Sequence, residues 1–307
     1  MTGLTIALQD RPHTRAVLDG EVTVAGFTLR PAHDGPIVGA FRKMVRELAF
    51  DVCELALTTY LCARRFGAEF TAIPVFPFRD FPQPAIRVRR ETAERGPRAL
   101  TGARIGVRAY TVTTGVWGRA VLADQLGLDP DAITWVVADE EHVTQYPLPP
   151  NVEVALGADL DSMLAAGDLA ATIGIASARP DTVPLLAASA TDLEQAWLQH
   201  GVYPINHTVV VRTALLREHP DLAGGLFDAF TQAKRQVIDR LGAGDEAADT
   251  AERALAERAR FVGGDPLPYG LQANRPTLEA LAGHALAQHI LAAPADLDAL
   301  FCPCPAN

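Results

Sequence analysis

A chain of 307 residues, 49% of them apolar and 21% charged, is long enough for one large core or two medium ones, and two lobes are expected. Its formal net charge of -10 argues against a nucleic-acid-binding surface, because phosphate contact needs clustered Lys and Arg. No apolar run reaches the roughly 18 residues of a membrane span, so no membrane partner is expected and a small molecule is.

The first eight residues enter a strand-like run at once, without a positively charged lead, a long apolar segment or a small-residue cleavage site. A cytoplasmic protein is therefore expected. Of the four cysteines, Cys53 and Cys62 lie in apolar surroundings, and Cys302 and Cys304 sit in a terminal Cys-Pro-Cys-Pro that makes less than half of a usual zinc site.

Residues 4–8 read as a buried strand, and the polar stretch Gln9-Asp10-Arg11-Pro12-His13-Thr14-Arg15 reads as the loop at its carboxyl end, where open α/β sheets hold ligands. A second strand is predicted over 22–29. Asp34-Gly35-Pro36 then supplies a cap and a first-turn proline for a helix over 37–48, with Phe41, Met44, Val45 and Leu48 on one face.

Residues 50–57 form another buried strand, in which Glu54 is a lone carboxylate. Burying it alone is costly, so it is either paired or functional. Thr58 or Thr59 is expected to cap the next helix and leave backbone N–H groups for an anion. Short strands at 72–75 and 85–88 flank a proline- and phenylalanine-rich wall that carries Arg79, a cation suited to an aromatic acid, and residues 87–100 read as a connection.

A second unit is predicted from Thr101. It has a strand over 103–107, a loop with Arg108 and Tyr110, and a helix over 115–126, with Thr113 and Thr114 at its start. Free N–H groups, hydroxyls and one positive charge there suit a carboxylate, although Thr is also a routine cap. Beyond a strand over 133–137, the acidic run 139–142 reads mainly as surface. A helix over 160–166, a capping Gly167 and a strand over 170–174 make a compact crossover.

A helix over 193–201 leads to Gly201-Val202-Tyr203-Pro204-Ile205-Asn206-His207. This stretch puts a histidine, an amide and a phenol at the mouth of a β-branched strand, 208–212. Helices follow over 223–241, over 245–261 and from near Pro276, with Tyr269 in a loop between the last two. The alternation of strands and helices, with a break near Leu100 and a return near Tyr203, predicts two α/β lobes crossed twice by the chain. Residues 1–100 plus 204–307 form lobe I and 101–203 form lobe II, with the ligand in the cleft.

Several runs carry a family resemblance. They are Ile73-Pro74-Val75-Phe76-Pro77 with Arg79 and Phe81, Trp117 after Tyr110, Tyr203-Pro204-Ile205-Asn206-His207, Phe50 to Leu55 with its acid, and Pro268-Tyr269-Gly270-Leu271-Gln272-Ala273-Asn274-Arg275-Pro276-Thr277. Together they resemble the 4,5-dihydroxyphthalate decarboxylase family over nearly the whole chain. The resemblance implies the type 2 periplasmic-binding-protein-like fold and loss of CO2 from a hydroxylated aromatic carboxylate, 4,5-dihydroxyphthalate to protocatechuate being the type reaction. Pro82-Gln83-Pro84 departs from the basic or histidine-containing segment expected there.

That reaction needs a base for a phenol, a proton for the ring carbon and a grip on the remaining carboxylate. Glu54 or Asp10 is the candidate base and His207 the proton donor. Arg79, Arg11, Thr113 and Thr114 are the carboxylate ligands, and Tyr269 closes the pocket. Thr58, Thr59, Arg108, Tyr110 and Asn206 complete the expected substrate-binding set. No cofactor is expected. A divalent metal stays open, with Glu54, His207 and Asp10 as conceivable ligands, and so does self-association into a homo-oligomer. The alternative is a cytoplasmic solute-binding or ligand-sensing protein of the same fold without catalysis, and a third reading is another lyase or hydrolase on this scaffold.

Overall fold

Short hydrophobic strands alternate with helices from the first residue, and the computed structural model, which describes residues 1–186, 189–242 and 249–304, gathers them around two sheets. The chain divides into two units. The first holds Met1–Arg79, His207–Leu278 and the tail from Ala295, and the second holds Asp80–Asn206 with Glu279–Pro294.

The first unit opens with β1 (Thr2–Ala7), α1 (Pro12–Leu18), β2 (Phe27–Pro31), α2 (Val38–Glu47), β3 (Val52–Ala56), α3 (Leu57–Arg65) and β4 (Phe70–Arg79). In the second lie β5 (Ile86–Arg89), α4 (Arg90–Arg95), β6 (Arg104–Val107), α5 (Thr113–Asp124), β7 (Thr134–Val137), β8 (Val152–Val154), α6 (Leu160–Ala166), β9 (Ala171–Ile173), β10 (Thr182–Pro184) and α7 (Ala190–His200). The remainder is β11 (Ile205–Arg212), α8 (Thr213–Glu218), α9 (Leu222–Gly242), α10 (Thr250–Val262), α11 (Leu271–Ala287) and α12 (Leu297–Leu300).

The first sheet has the order β2-β1-β3-β11-β4, with β1 parallel to β2 and β3, and β11 antiparallel to β3. Every residue of β3 is buried, as befits an interior strand covered on both faces. The second sheet has the order β10-β5-β9-β6-β7-β8, a parallel centre with β5 and β10 added antiparallel at one side.

Because β5 hydrogen bonds to β9 and β10, residues 80–100 belong with the second sheet, whereas the sequence had placed them with the first. The segment 279–294 joins the second unit in the same way, through a boundary inside α11.

Other departures have local causes. Pro12 occupies the first turn of α1 and Arg11 its N-cap position, so half of the expected 9–15 loop is helix. The strand expected over 22–29 lies at β2 instead, and Val22 and Val24 are buried in the turn before it. Asp34 does not cap α2, whose N-cap is Ile37. β4 continues through Phe76 to Arg79, turning much of the expected wall into strand. α11 starts at Leu271 and carries Pro276 inside it, so tertiary packing overrides the lost backbone bond. The expected start of the preceding helix, Asp245, lies outside the described residues; the helix observed starts at Thr250 under a capping box of Asp249 and Glu252.

α5 lies close against β9. A Cβ on Gly118 would stand 2.5 Å from Ile173 Cγ2, and the β-branched isoleucine has few rotamers with which to retreat. Gly118→Ala should therefore cost about 1–3 kcal/mol of stability, read as a lower urea midpoint at unchanged m-value. An unchanged midpoint would show that this packing gives way easily.

Candidate active site

Antiparallel pairing of β11 with β3 sets His207 opposite Ala56 and Val209 opposite Glu54. Side chains two residues apart on a strand share a face, so Glu54 and His207 emerge on the same face at the carboxyl end of β3. This is the end at which α/β sheets present ligand-binding groups.

Glu54 is completely buried, where an unpaired carboxylate would be costly. Its Oε2 accepts from Arg11 Nη1 at 2.8 Å and from the Gln9 backbone N–H at 3.0 Å, and its Oε1 accepts from His207 Nδ1 at 2.6 Å. Burial alone would raise its pKa. The Arg11 charge and the His207 hydrogen bond outweigh burial and hold the carboxyl well below the usual carboxylate range. An ionised Glu54 can only accept, so the imidazole proton facing it sits on Nδ1, and this bond sets the orientation of the ring.

The His207 ring is held between Phe41, edge-on with centroids 5.0 Å apart, and Phe78, tilted at 5.0 Å. Its side chain keeps 14% exposure and that of Arg11 keeps 16%, with the guanidinium 5.1 Å above the Phe78 ring. A positioned imidazole and a cation, both partly exposed above a buried carboxylate, can carry a proton and bind an anion.

His13, the second residue of α1, donates from Nε2 to the Pro77 carbonyl at 2.8 Å. Burial lowers its pKa from 6.5 to about 4. Between those values the unfolded chain binds more protons than the folded one, so stability falls as pH drops through that window, by about 3 kcal/mol at its acid end. His284, also lowered by burial, acts in the same range, whereas Glu54 gives up stability only below its ordinary 4.5. His13→Gln keeps the donor to Pro77 and should flatten the stability profile between pH 6.5 and 4.5; a profile parallel to wild type would remove His13 as its source.

The other expected residues of this unit are placed differently. Asp10, the other candidate base, is exposed and pairs with Arg15 at 3.0 Å, apart from the Glu54–His207 pair. Thr58 and Thr59 are buried within the first turn of α3, whose N-cap is Ala56, so neither is the cap. Arg79 is buried and engaged. It donates to Asn274 Oδ1 and to the Pro268 carbonyl, while its own carbonyl accepts from Arg258 at 2.7 Å. It ties the end of β4 to the 268–274 segment. Tyr269 is buried under Lys234, whose ammonium lies 4.1 Å above its ring, and burial raises its phenol pKa. Lys234 also binds Asp265 and the Leu267 carbonyl; its position on the apolar face of α9 hid it from the sequence reading.

In the second unit α5 begins at Thr113 and Thr114 with Val112 as N-cap and no side-chain cap. Arg108 pairs with Asp139 at 3.2 Å, and the Tyr110 hydroxyl donates to the Gln288 carbonyl at 3.3 Å, so both expected ligands are committed within the unit. Asn206 Oδ1 accepts from the Asp80 N–H at 2.8 Å, and its Nδ2 donates to Thr114 Oγ1 at 3.4 Å. The acidic run 139–142 is not mere surface. Glu141 binds the loop before α5, and His142 is buried.

Among the described residues no group of three or more His, Cys, Asp or Glu side chains is gathered to hold a metal ion, and none of the helices is long and apolar enough to cross a membrane. Glu54 and His207 meet each other, but Asp10 is paired elsewhere.

Two α/β units, each built on its own mixed sheet, define a protein of the periplasmic-binding-protein fold type. The periplasmic aliphatic sulphonate binding protein SsuA from Escherichia coli matches 98% of this chain and 98% of its own with a TM-score of 0.56, at 14% identity. No family model matches the sequence. Its curated relatives are closer. The chain is 29% identical over 293 residues to the 4,5-dihydroxyphthalate decarboxylase of Comamonas testosteroni, covering 88% of this chain and 87% of the relative. It is 33% identical over 184 residues to that of Pseudomonas putida, covering 56% and 69%. The chain belongs to the 4,5-dihydroxyphthalate decarboxylase family and is a carboxy-lyase of that kind.

Proposed function

We propose that this enzyme removes one carboxylate from 4,5-dihydroxyphthalate or a close hydroxylated aromatic acid, with His207 delivering the proton to the ring. The observation that carries the assignment of His207 is its 2.6 Å hydrogen bond to the buried Glu54 carboxylate, which orients the imidazole at the carboxyl end of β3. With the phenol para to the departing group ionised, electron density reaches the carbon that bears the carboxylate. His207, in its imidazolium form beside the Glu54 carboxylate, gives a ring proton to that carbon, the carbon–carbon bond breaks, its electron pair restores the aromatic ring, CO2 leaves, and solvent returns a proton to the imidazole and to the phenolate.

Glu54 is a positioning residue in this scheme, because it is enclosed by Arg11, the Gln9 N–H and His207. Arg11 stabilises negative charge on the substrate.

Incubating purified protein with 4,5-dihydroxyphthalate, while following CO2 and the ring absorbance, tests the proposal. Stoichiometric release of CO2 with loss of the substrate spectrum is expected. Tight binding without turnover, across this and related hydroxylated acids, would instead make the chain a binding or sensing protein.

A further inference from the structure

We infer that the second unit carries a ligand site of its own, a cavity of about 270 Å3 against the C-terminal half of α5 that takes an uncharged hydroxylated aromatic ring. None of its described lining residues belongs to the unit that holds Glu54 and His207.

Trp117, Ala120 and Val121 stand at i, i+3 and i+4 on one face of α5, and they meet Phe81, Pro204 and Ala280 in the cavity wall. The indole N–H is engaged by the Ile205 carbonyl at 3.0 Å, so Trp117 offers only its ring. A cavity of about 150 Å3 lined by apolar side chains holds benzene, and the space here has room for one ring with its substituents.

The polar groups decide which substituents fit. Gln83, from the Pro82-Gln83-Pro84 segment, is 5% exposed, and its Oε1 accepts no hydrogen bond among the described residues. A buried acceptor left open lowers stability unless a donor meets it. The last torsion of a glutamine is soft, so this oxygen can turn to a donor inside the cavity that the side chain lines.

His284 lies edge-on to Trp117 with ring centroids 5.7 Å apart, and its Nε2 is 3.6 Å from Asp124 Oδ2. The described lining contains no Lys or Arg, and burial lowers the pKa of His284, so Asp124 is its one charged group at neutral pH. A carboxylate would find no cation here and would be repelled by Asp124. The dianionic acid proposed as substrate is therefore a poor fit. A neutral ring with a hydroxyl group satisfies Gln83 and lays its apolar body against Trp117 and Phe81.

Calorimetric titration with phenol, toluene and benzoate tests the site. Phenol should bind with a Kd of about 1 mM or tighter, and benzoate, the same ring with a charge, about tenfold more weakly. Gln83→Leu removes the acceptor at similar volume; it should weaken phenol about tenfold and leave toluene unchanged or tighter. Ala280→Phe, at a partly exposed position of the wall, should abolish binding of both. Phenol binding that neither variant changes would overturn the site, as would benzoate binding as tight as phenol or the lack of saturable phenol binding. If one variant folds poorly, the other and the benzoate comparison still decide. The readout is binding, so it stands whether or not the protein decarboxylates 4,5-dihydroxyphthalate.

Discussion

His207→Ala should lower kcat by at least about two orders of magnitude, the scale on which a lost general acid or base is felt, while leaving KM within a few-fold of wild type. The folded state should survive the change. Glu54 retains Arg11 and the Gln9 N–H, so the carboxylate is not orphaned, and what remains is a gap between Phe41 and Phe78. The cost of such a gap is about 1–3 kcal/mol, visible as a lowered urea midpoint. The kinetic loss should far exceed what any unfolded fraction explains. A kcat equal to wild type would remove His207 from proton transfer and leave it a packing residue between two phenylalanines.

The sequence exposed this pair by two independent signals. A carboxylate in the run Val52-Cys53-Glu54-Leu55-Ala56 must find a partner, because burial penalises it, and a histidine at the mouth of a β-branched strand is a natural partner. What the sequence could not supply was the antiparallel register that sets His207 beside Glu54, since strand order depends on contacts between segments some 150 residues apart. Asp10 looked equivalent to Glu54 on composition alone. In the structure it lies just before α1 and pairs with Arg15 instead.

The same limit explains the arginines and the acidic loop. Arg79 and Arg108 read alike in one dimension, as cations near turns, and Arg119 inside a helix carries no signal of its own. In three, Arg79 ties down the 268–274 segment, Arg108 pairs with Asp139 and Arg119 is completely buried. Glu141, in a run of acids near prolines, has the composition of a solvated loop. Its role follows only from the backbone donors of Tyr110 and Thr111, and a backbone N–H leaves no mark in a sequence. Helices with strong apolar periodicity and a glycine cap, such as α6 with Gly167, were legible to the residue.

Glu54→Gln should invert the balance found at His207, with a large stability loss joined to the kinetic one. The amide removes the negative charge between Arg11 and His207 and sets an NH2 group against donors at a completely buried position. Breaking one side of a buried pair typically costs about 3–5 kcal/mol, and the partial exposure of Arg11 and His207 places this pair towards the lower end. A lower midpoint than that of His207→Ala is therefore expected.

Catalysis should fall by about two orders of magnitude, because the imidazole loses the acceptor that fixes its tautomer while Nε2 itself remains. The acid limb of the stability profile provides a separate check. A carboxylate whose folded pKa lies below its ordinary 4.5 contributes stability above that value and loses it as pH falls through the folded one. The gap between wild type and Glu54→Gln should therefore narrow on acidification below pH 4.5, and a gap constant with pH would mean that the charge of Glu54 contributes nothing to the fold.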